Sequence, residues 1–394
     1  MLDELNDNNI LFVMSYLSMA REAEMDVSRV LQDAAGYGKL DIIKLIYKSN
    51  SNYIILTPGD ALIQCCDAYD SIVEMVRFMT GVGVDVNSVD RYNRTALDAI
   101  CSRSDGYNTI LPVNQECEFA EMIHNVVCVL LQLGAHVNVY DNNHNTPLHS
   151  AVRYGYFSAT VELLNYQADV NVRNNVGATA IGIACTEASY DCLKENKWLA
   201  DDSVEMLQLL VNHGAEVNVK DTEHIPLIET CRWKRPAYVQ FLLVHGAEVN
   251  GVTPKGRVSS LMLACGQGCL LEYGAEVNIV DGEGRTALMY ACQGYDRPYL
   301  SCIKALLRYG ADIDHKDSQG RTALMSVITR IHQAGDTVPT VEAQVALVSA
   351  LLEHGADMTV ADNEGRTVRD VVGVSDAILE VLEKAQHRSE HVLK

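Results

Sequence analysis

"NNHNTPLHSAVRYGYFSATVELLNYQADVNVRN", residues Asn142–Asn174, is one full 33-residue period of a phrase that recurs along the chain. Its grammar is physical. Thr146 is placed to cap a short helix, and Pro147 suits the first helical position, where no amide donor is needed. Leu163 and Leu164 fall on the buried side of a second helix. In sister copies a glycine such as Gly214 or Gly274 ends that helix in a left-handed conformation. An Asp or Asn near the end of each phrase turns the chain through a tight hairpin into the next copy. A helix pair this short cannot cover its own apolar face, so the copies must stack.

The copies are easily found. "LLQLGAHVNVYD" (130–141), "LLVNHGAEVNVKD" (209–221), "LLVHGAEVNG" (242–251), "LLEYGAEVNIVD" (270–281), "LLRYGADIDHKD" (306–317) and "LLEHGADMTVAD" (351–362) share the second-helix ending, and "RTALMYA" and "RTALMSV" open first helices at Arg285 and Arg321. With "TPLH" at Thr146–His149 and the recurring "GA[ED]VN", residues 30–386 resemble the ankyrin-repeat family. That resemblance implies an all-α helix–turn–helix solenoid with projecting hairpins. About ten units are expected, starting near Leu31, Asp60, Arg91, Asn142, Asn175, Thr222, Arg257, Gly282, Ser318 and Asn363. Residues 1–29 are expected to supply an N-terminal capping helix, Asn363–Gln386 a closing cap, and 387–394 a disordered tail.

Composition narrows the function. The 394 residues carry a formal charge of −21, which repels phosphate backbones and anionic membrane surfaces. Nucleic acid is therefore not expected as a partner; a protein with a basic or neutral contact surface is. The acidic start "MLDELNDNN" ahead of the apolar run Ile10–Ala20 has neither the basic region of a secretory signal nor the length of a membrane span. A soluble intracellular protein is expected, in the cytoplasm with the nucleus as a second compartment. Its 12 cysteines should be thiols there.

Most of those cysteines form a column. Cys66, Cys101, Cys185, Cys231, Cys265 and Cys292 hold one register of the first helix, a register that Val152 and Ile328 fill elsewhere. A position that accepts Cys, Val and Ile is a small buried apolar site. The Cys265-Gly-Gln-Gly-Cys269 spacing thus reflects a shortened unit rather than a redox pair or zinc knuckle, with the second helix cut to about one turn. The opposite occurs near 102–120, 186–202 and 329–339, where extra residues separate first from second helix. Asp202 with Glu205, and Thr340, read as caps of lengthened second helices, and Phe119 and Trp198 as exposed anchors on the insertion edge.

No phosphate-binding glycine loop, nucleophile elbow, kinase signature or HExxH motif is present, so no enzyme, catalytic residue, cofactor or metal is expected. His213, His245 and His354 precede helix-ending glycines, but neighbouring units lie ~8–10 Å apart, too far to share one zinc. In ankyrin-like proteins, ligand contacts come from hairpin tips and the exposed end of the first helix. Carried over residue by residue, this gives Arg153, Tyr154, Glu187, Arg232 and Trp233, with Arg94 and Asn143 on the hairpins. Arg94, Arg285, Arg321 and Arg366 form a column read as solvated charges balancing Glu276, Asp312 and Asp357.

The leading reading is a non-enzymatic scaffold that binds a polypeptide on its hairpin and first-helix face. The segment Arg285–Gln386, with "RTALMSVITRIHQAG" and "GVSDAILEVLEKAQ", is also similar to the C-terminal repeats of Fem-type substrate receptors of cullin-RING ubiquitin ligases. That similarity implies an adaptor as the alternative, although the apolar elongin- and cullin-recruiting box of the family is not found between Gln386 and Lys394. A structural tether to cytoskeletal or membrane proteins is a third class. The family resemblance further implies that Asn171, Asn218, Asn250 and Asn278 are candidate substrates of an asparaginyl hydroxylase.

Overall fold

The computed structural model describes residues 28–50, 58–66, 68, 71–103, 113–186, 204–220, 222–264, 269–293, 299–329, 341–370 and 376–392. The expected capping helix therefore lies outside the described residues except for its last two positions. Two compact units divide at Glu216/Val217, and each is taken by itself.

The first unit contains α1 (Ser28–Gly36), α2 (Leu40–Asn50), α3 (Pro58–Cys65), α4 (Ile72–Gly81), α5 (Ala96–Cys101), α6 (Val113–Gln132), α7 (Pro147–Arg153), α8 (Phe157–Asn165), α9 (Ala180–Ala184) and α10 (Glu205–Asn212). First helices form one layer, in which α1 packs on α3, α5 on α7 and α7 on α9; second helices form another, with α4 on α6 and α6 on α8. The second unit repeats the scheme. It contains α11 (Pro226–Arg232), α12 (Pro236–Val244), α13 (Ser260–Leu263), α14 (Cys269–Glu272), α15 (Ala287–Gln293), α16 (Tyr299–Arg308), α17 (Ala323–Thr329), α18 (Val341–Glu353) and α19 (Asp376–Val392). There α11 packs on α13, α13 on α15 and α15 on α17.

The recurring phrase explains each element. Thr95, Thr146 and Thr179 sit in extended backbone and accept from the amide three residues on, as helix caps. The leucine four residues before each helix-ending position is fully buried, as with Leu130, Leu163, Leu210, Leu242, Leu270, Leu306 and Leu351. Each such side chain contributes roughly 1.5–3 kcal/mol of hydrophobic stabilisation. The cysteine column is buried at Cys66, Cys101, Cys185, Cys231 and Cys292, as are Val152 and Ile328. Cys265 lies outside the described residues. The shortened unit has a four-residue first helix and a four-residue second helix, α13 and α14.

Several details differ from the sequence reading. The insertion near 102–120 is partly helical, because α6 begins at Val113 and runs 20 residues. Residues 104–112, 187–203 and 330–340, with Trp198, Asp202 and Thr340, are outside the described residues. α10 opens after Val204 with no side-chain cap. α19 continues past Gln386 to Val392, where a frayed tail was expected.

Candidate hairpin and first-helix surface

At five hairpins the chain is closed by an aspartate five positions before the first-helix Thr. At Asp90, Asp141, Asp281, Asp317 and Asp362 the backbone N–H donates to the carbonyl four residues on. Their carboxylates accept the backbone N–H groups at the second and fourth following positions. The arginine column completes this knot. Arg94 pairs with Asp90 at 2.8 Å, Arg285 with Asp281 at 2.8 Å, Arg321 with Asp317 at 2.7 Å and Arg366 with Asp362 at 2.8 Å. This corrects the expectation that they balance Glu276, Asp312 and Asp357, and it commits Arg94 to its own hairpin. Burial would raise the Asp90 carboxyl, but the Arg94 amide and guanidinium and the Tyr92 amide hold it below its usual range. The signal was present in the sequence as Asp-x-x-x-Arg.

A second device ties each hairpin to the next repeat. Asn171 Nδ2 donates to Gly214 O at 2.9 Å while its Oδ1 accepts Glu216 N–H at 2.8 Å. Asn218 spans Gly246 and Glu248, and Asn278 spans Gly310 and Asp312, in the same way. Asn87 and Asn138, which the sequence reading passed over, do likewise to Gly134 and His136 and to Gln167 and Asp169. Asn250 departs. Its Oδ1 accepts Glu276 N–H at 2.8 Å, but its Nδ2 meets the Glu276 carboxylate at 3.3 Å. That rung leads into the shortened repeat.

In the first unit these ties fix a row of tips. Asn142 N–H donates to Tyr92 O, Asn93 Nδ2 donates to Tyr140 O, and Asn175 N–H donates to Asn143 O. Asn143 is exposed on this row. Tyr92 is 48% exposed beneath the Arg91 guanidinium, and Tyr140 is 38% exposed with His144 stacked on it at 4.3 Å. Val176 projects further along at 62%. Tyr92, Tyr140 and His144 were not singled out from the sequence, since single tyrosines outside a helical period carry no pattern there.

The first-helix ends present less. In the first unit, Arg153 and Tyr154 are half-buried at the end of α7, and Tyr154 stacks on buried Tyr156 at 6.0 Å. Glu187 lies outside the described residues. In the second unit, Arg232 and Trp233 end α11, with Arg232 3.7 Å from buried Glu229 and Trp233 39% exposed. Phe119, expected as an exposed anchor, is buried. It lies beneath the Arg103 guanidinium at 5.4 Å and near the Tyr156 ring at 6.3 Å. Arg103 itself is buried and donates to the Cys66 and Ala68 carbonyls at 2.7 Å each, while its own carbonyl accepts the Tyr156 hydroxyl.

A carboxyl and an imidazole are buried inside the first unit. Asp98 is 2% exposed; burial, then the Asp141 charge, pushes its carboxyl up to about 7 against the opposing Ser150 hydroxyl bond. His149 is buried and its pKa falls to about 4, because burial outweighs its bonds to the Ala178 and Val172 carbonyls. Its Nδ1 accepts Thr146 N–H, so the proton resides on Nε2. His213, His245 and His354 use Nδ1 on the carbonyl four residues back at 2.8–2.9 Å, which makes them helix-end hydrogen-bonding groups.

The family model described as ankyrin repeats in three copies matches residues 117–195 and 261–362. Those residues are ankyrin repeats, and the described residues form an all-α fold built of stacked helix pairs. The chain is 27% identical over 258 residues to the Ankyrin repeat and KH domain-containing protein mask-1 of Caenorhabditis elegans, covering 60% of this chain and 9% of that protein. It is 30% identical over 165 residues to the Putative ankyrin repeat protein FPV031 of Fowlpox virus (36% of this chain, 44% of that one). It is 25% identical over 221 residues to the Putative ankyrin repeat protein YahD of Escherichia coli, spanning 54% of this chain and 90% of that one. The chain thus spans less than half the length of the first two relatives. Among the described residues no helix is long and apolar enough to cross a membrane.

Proposed function

We propose that this protein is a non-catalytic scaffold that binds a polypeptide partner along its hairpin tips and first-helix ends. One observation carries the reading: the tips bearing Tyr92, Tyr140 and His144 are exposed yet hydrogen-bonded to one another through Asn93, Asn142 and Asn143. Rigid aromatic side chains held in place lose little entropy on binding, and Tyr, Trp and Arg dominate interface hot spots. In the second unit Trp233 and Arg232 supply a further contact of the same kind. The charge of −21 favours a partner with a basic or neutral contact face.

The test is affinity purification from cells with quantitative mass spectrometry, comparing wild type with Tyr92→Ala/Tyr140→Ala and with Arg232→Glu/Trp233→Ala. Partners lost with either variant, at unchanged melting temperature, support the scaffold. Partners retained by both refute this placement of the surface. Elongin and cullin peptides co-purifying with wild type would make the ligase-adaptor reading the better one, and cytoskeletal or membrane-protein partners the tether reading.

Hydroxylation belongs to the same reading. Both ends of the amide of Asn171, Asn218 and Asn278 are engaged by the next repeat, so an enzyme must first open the hairpin. Asn250, whose Nδ2 lacks a backbone carbonyl partner, is expected to carry the most added oxygen of the four. Intact-peptide masses from cells decide it, and unmodified peptides at all four positions would end the idea.

A further inference from the structure

The sequence offered no metal site, because its histidines recur at positions that cannot meet. Tertiary packing brings a different set together. His124 and Cys128 stand one helical turn apart on α6, on the face that packs against α8, and α8 contributes Glu162. The Cys128 sulfur is 3.8 Å from His124 Nδ1 and 3.7 Å from Nε2, and one ligand atom from each of the three residues lies within 4.8 Å of the others. All three side chains are half-buried, partly shielded but within reach of solvent.

We propose that His124, Cys128 and Glu162 form a binding site for a zinc-class divalent ion, with a solvent molecule as fourth ligand. The spacing suits it. Zinc–sulfur and zinc–nitrogen bonds of about 2.3 and 2.0–2.1 Å at a tetrahedral angle set S and N roughly 3.5–3.6 Å apart. Closing the set requires the ligand atoms, now within 4.8 Å of one another, to draw together. The donors also choose the metal: a thiolate and an imidazole select zinc over magnesium or calcium, which take oxygen ligands. Thiolate and carboxylate together balance the two charges of the ion. On binding, the Cys128 thiol releases its proton to solvent and a sulfur–metal bond takes its place. The bound ion pins the lengthened α6 to the second helix of the following repeat, adding a cross-link that hydrophobic packing alone does not supply.

The experiment uses the full chain, reduced and freed of metal, titrated with Co²⁺ as a spectroscopic probe. The expected result is one equivalent bound, giving a thiolate-to-cobalt charge-transfer band with tetrahedral visible bands, both bleached by Zn²⁺. Cys128→Ser should abolish the charge-transfer band, and Glu162→Gln should weaken binding about tenfold or more. Both variants should keep the helical circular dichroism of wild type without metal. Absence of the band in wild type, its persistence in Cys128→Ser, or unchanged affinity in Glu162→Gln would each overturn the site. If a variant fails to fold, zinc-edge X-ray absorption of the loaded wild type decides. One sulfur among the ligands supports the site; none, or two or more, refutes it.

Discussion

The two units are written in the same grammar but fill one position differently. Three residues after the helix-capping position, the first unit carries Asp98, His149 and Gly182, whereas the second carries Ile228, Met262, Met289 and Met325. These positions lie in the layer of first helices, and all seven are buried. The second unit therefore has an apolar filling there that no proton can change. The first holds a carboxyl and an imidazole whose pKa values burial has pushed in opposite directions. The repeat tolerates both because the cap needs only the backbone amide at that position, leaving the side chain to be chosen by its neighbours.

The largest consequence concerns pH. Asp98 binds its proton near 7 when folded and near its ordinary 3.8 when unfolded, so its contribution is complete at acid pH and is lost as pH rises through 7. That loss amounts to about 4 kcal/mol. His149 runs the other way. Its contribution is complete above 6.5 and disappears as pH falls toward 4, about 3 kcal/mol in all. Between pH 4 and 6.5 the two slopes nearly offset. Asp98→Asn should therefore stabilise the first unit at pH 8 by about 4 kcal/mol relative to its effect at pH 4, and uncover the rising slope of His149. Denaturant melts across this range, with hydrogen exchange to separate the units, test it. An equal response from both units would break the comparison.

The next effect is a buried cation. Arg103 satisfies the Cys66 and Ala68 carbonyls and covers Phe119, so Arg103→Ala leaves two acceptors unpaired and should cost about 3 kcal/mol. Arg321 in the second unit pairs with an aspartate that keeps two backbone amides. Its replacement by alanine should cost only about 1 kcal/mol. Paired denaturant curves measure both, and equal losses would mean that burial of the guanidinium does not decide its worth.

A smaller contrast lies in the second-helix layer. α14 has one turn and receives the imperfect Asn250 rung, whereas α8 has nine residues and a two-bond rung arriving from Asn138. Amides of Leu270–Glu272 should exchange about tenfold or more faster than those of Leu163–Leu164. Equal protection would show that burial of Leu270 and Leu271 is enough to hold a single turn.

Much of this was legible. Helix caps, left-handed glycines and the cysteine column are local or strictly periodic, so one chain displays them. The Asp-x-x-x-Arg knot was equally local, and was missed because charges on a hairpin suggest partners across the surface rather than four residues back. Arg103, the asparagine rungs and Glu162 beside Cys128 are different. Each joins residues from separate repeats, and nothing in the period says which side chains will meet. Phe119 shows the converse error: an aromatic residue in an insertion looks exposed until a buried arginine is found above it.

The smallest effect tests the repeat rule itself. The helix-ending left-handed position is glycine at Gly134 and Gly214 in the first unit and at Gly246, Gly274, Gly310 and Gly355 in the second, but Gln167 holds it after α8, with φ of 64°. A Cβ at Gly214 or Gly310 would meet nothing within 4 Å, so the preference is conformational rather than a matter of space at that atom. Gln167 keeps the backbone bonds of the motif: its N–H reaches Leu164 O at 3.0 Å and its carbonyl accepts Asn138. Gln167→Gly preserves them all and relieves the strain of a side chain at positive φ, about 1–2 kcal/mol. The freer unfolded chain takes back roughly half of that gain. A net stabilisation of about 0.5–1 kcal/mol should appear as a higher denaturant midpoint at unchanged slope. A lower midpoint would mean that the Gln167 side chain makes stabilising contacts, and that this one repeat departs from the glycine rule for a reason of packing.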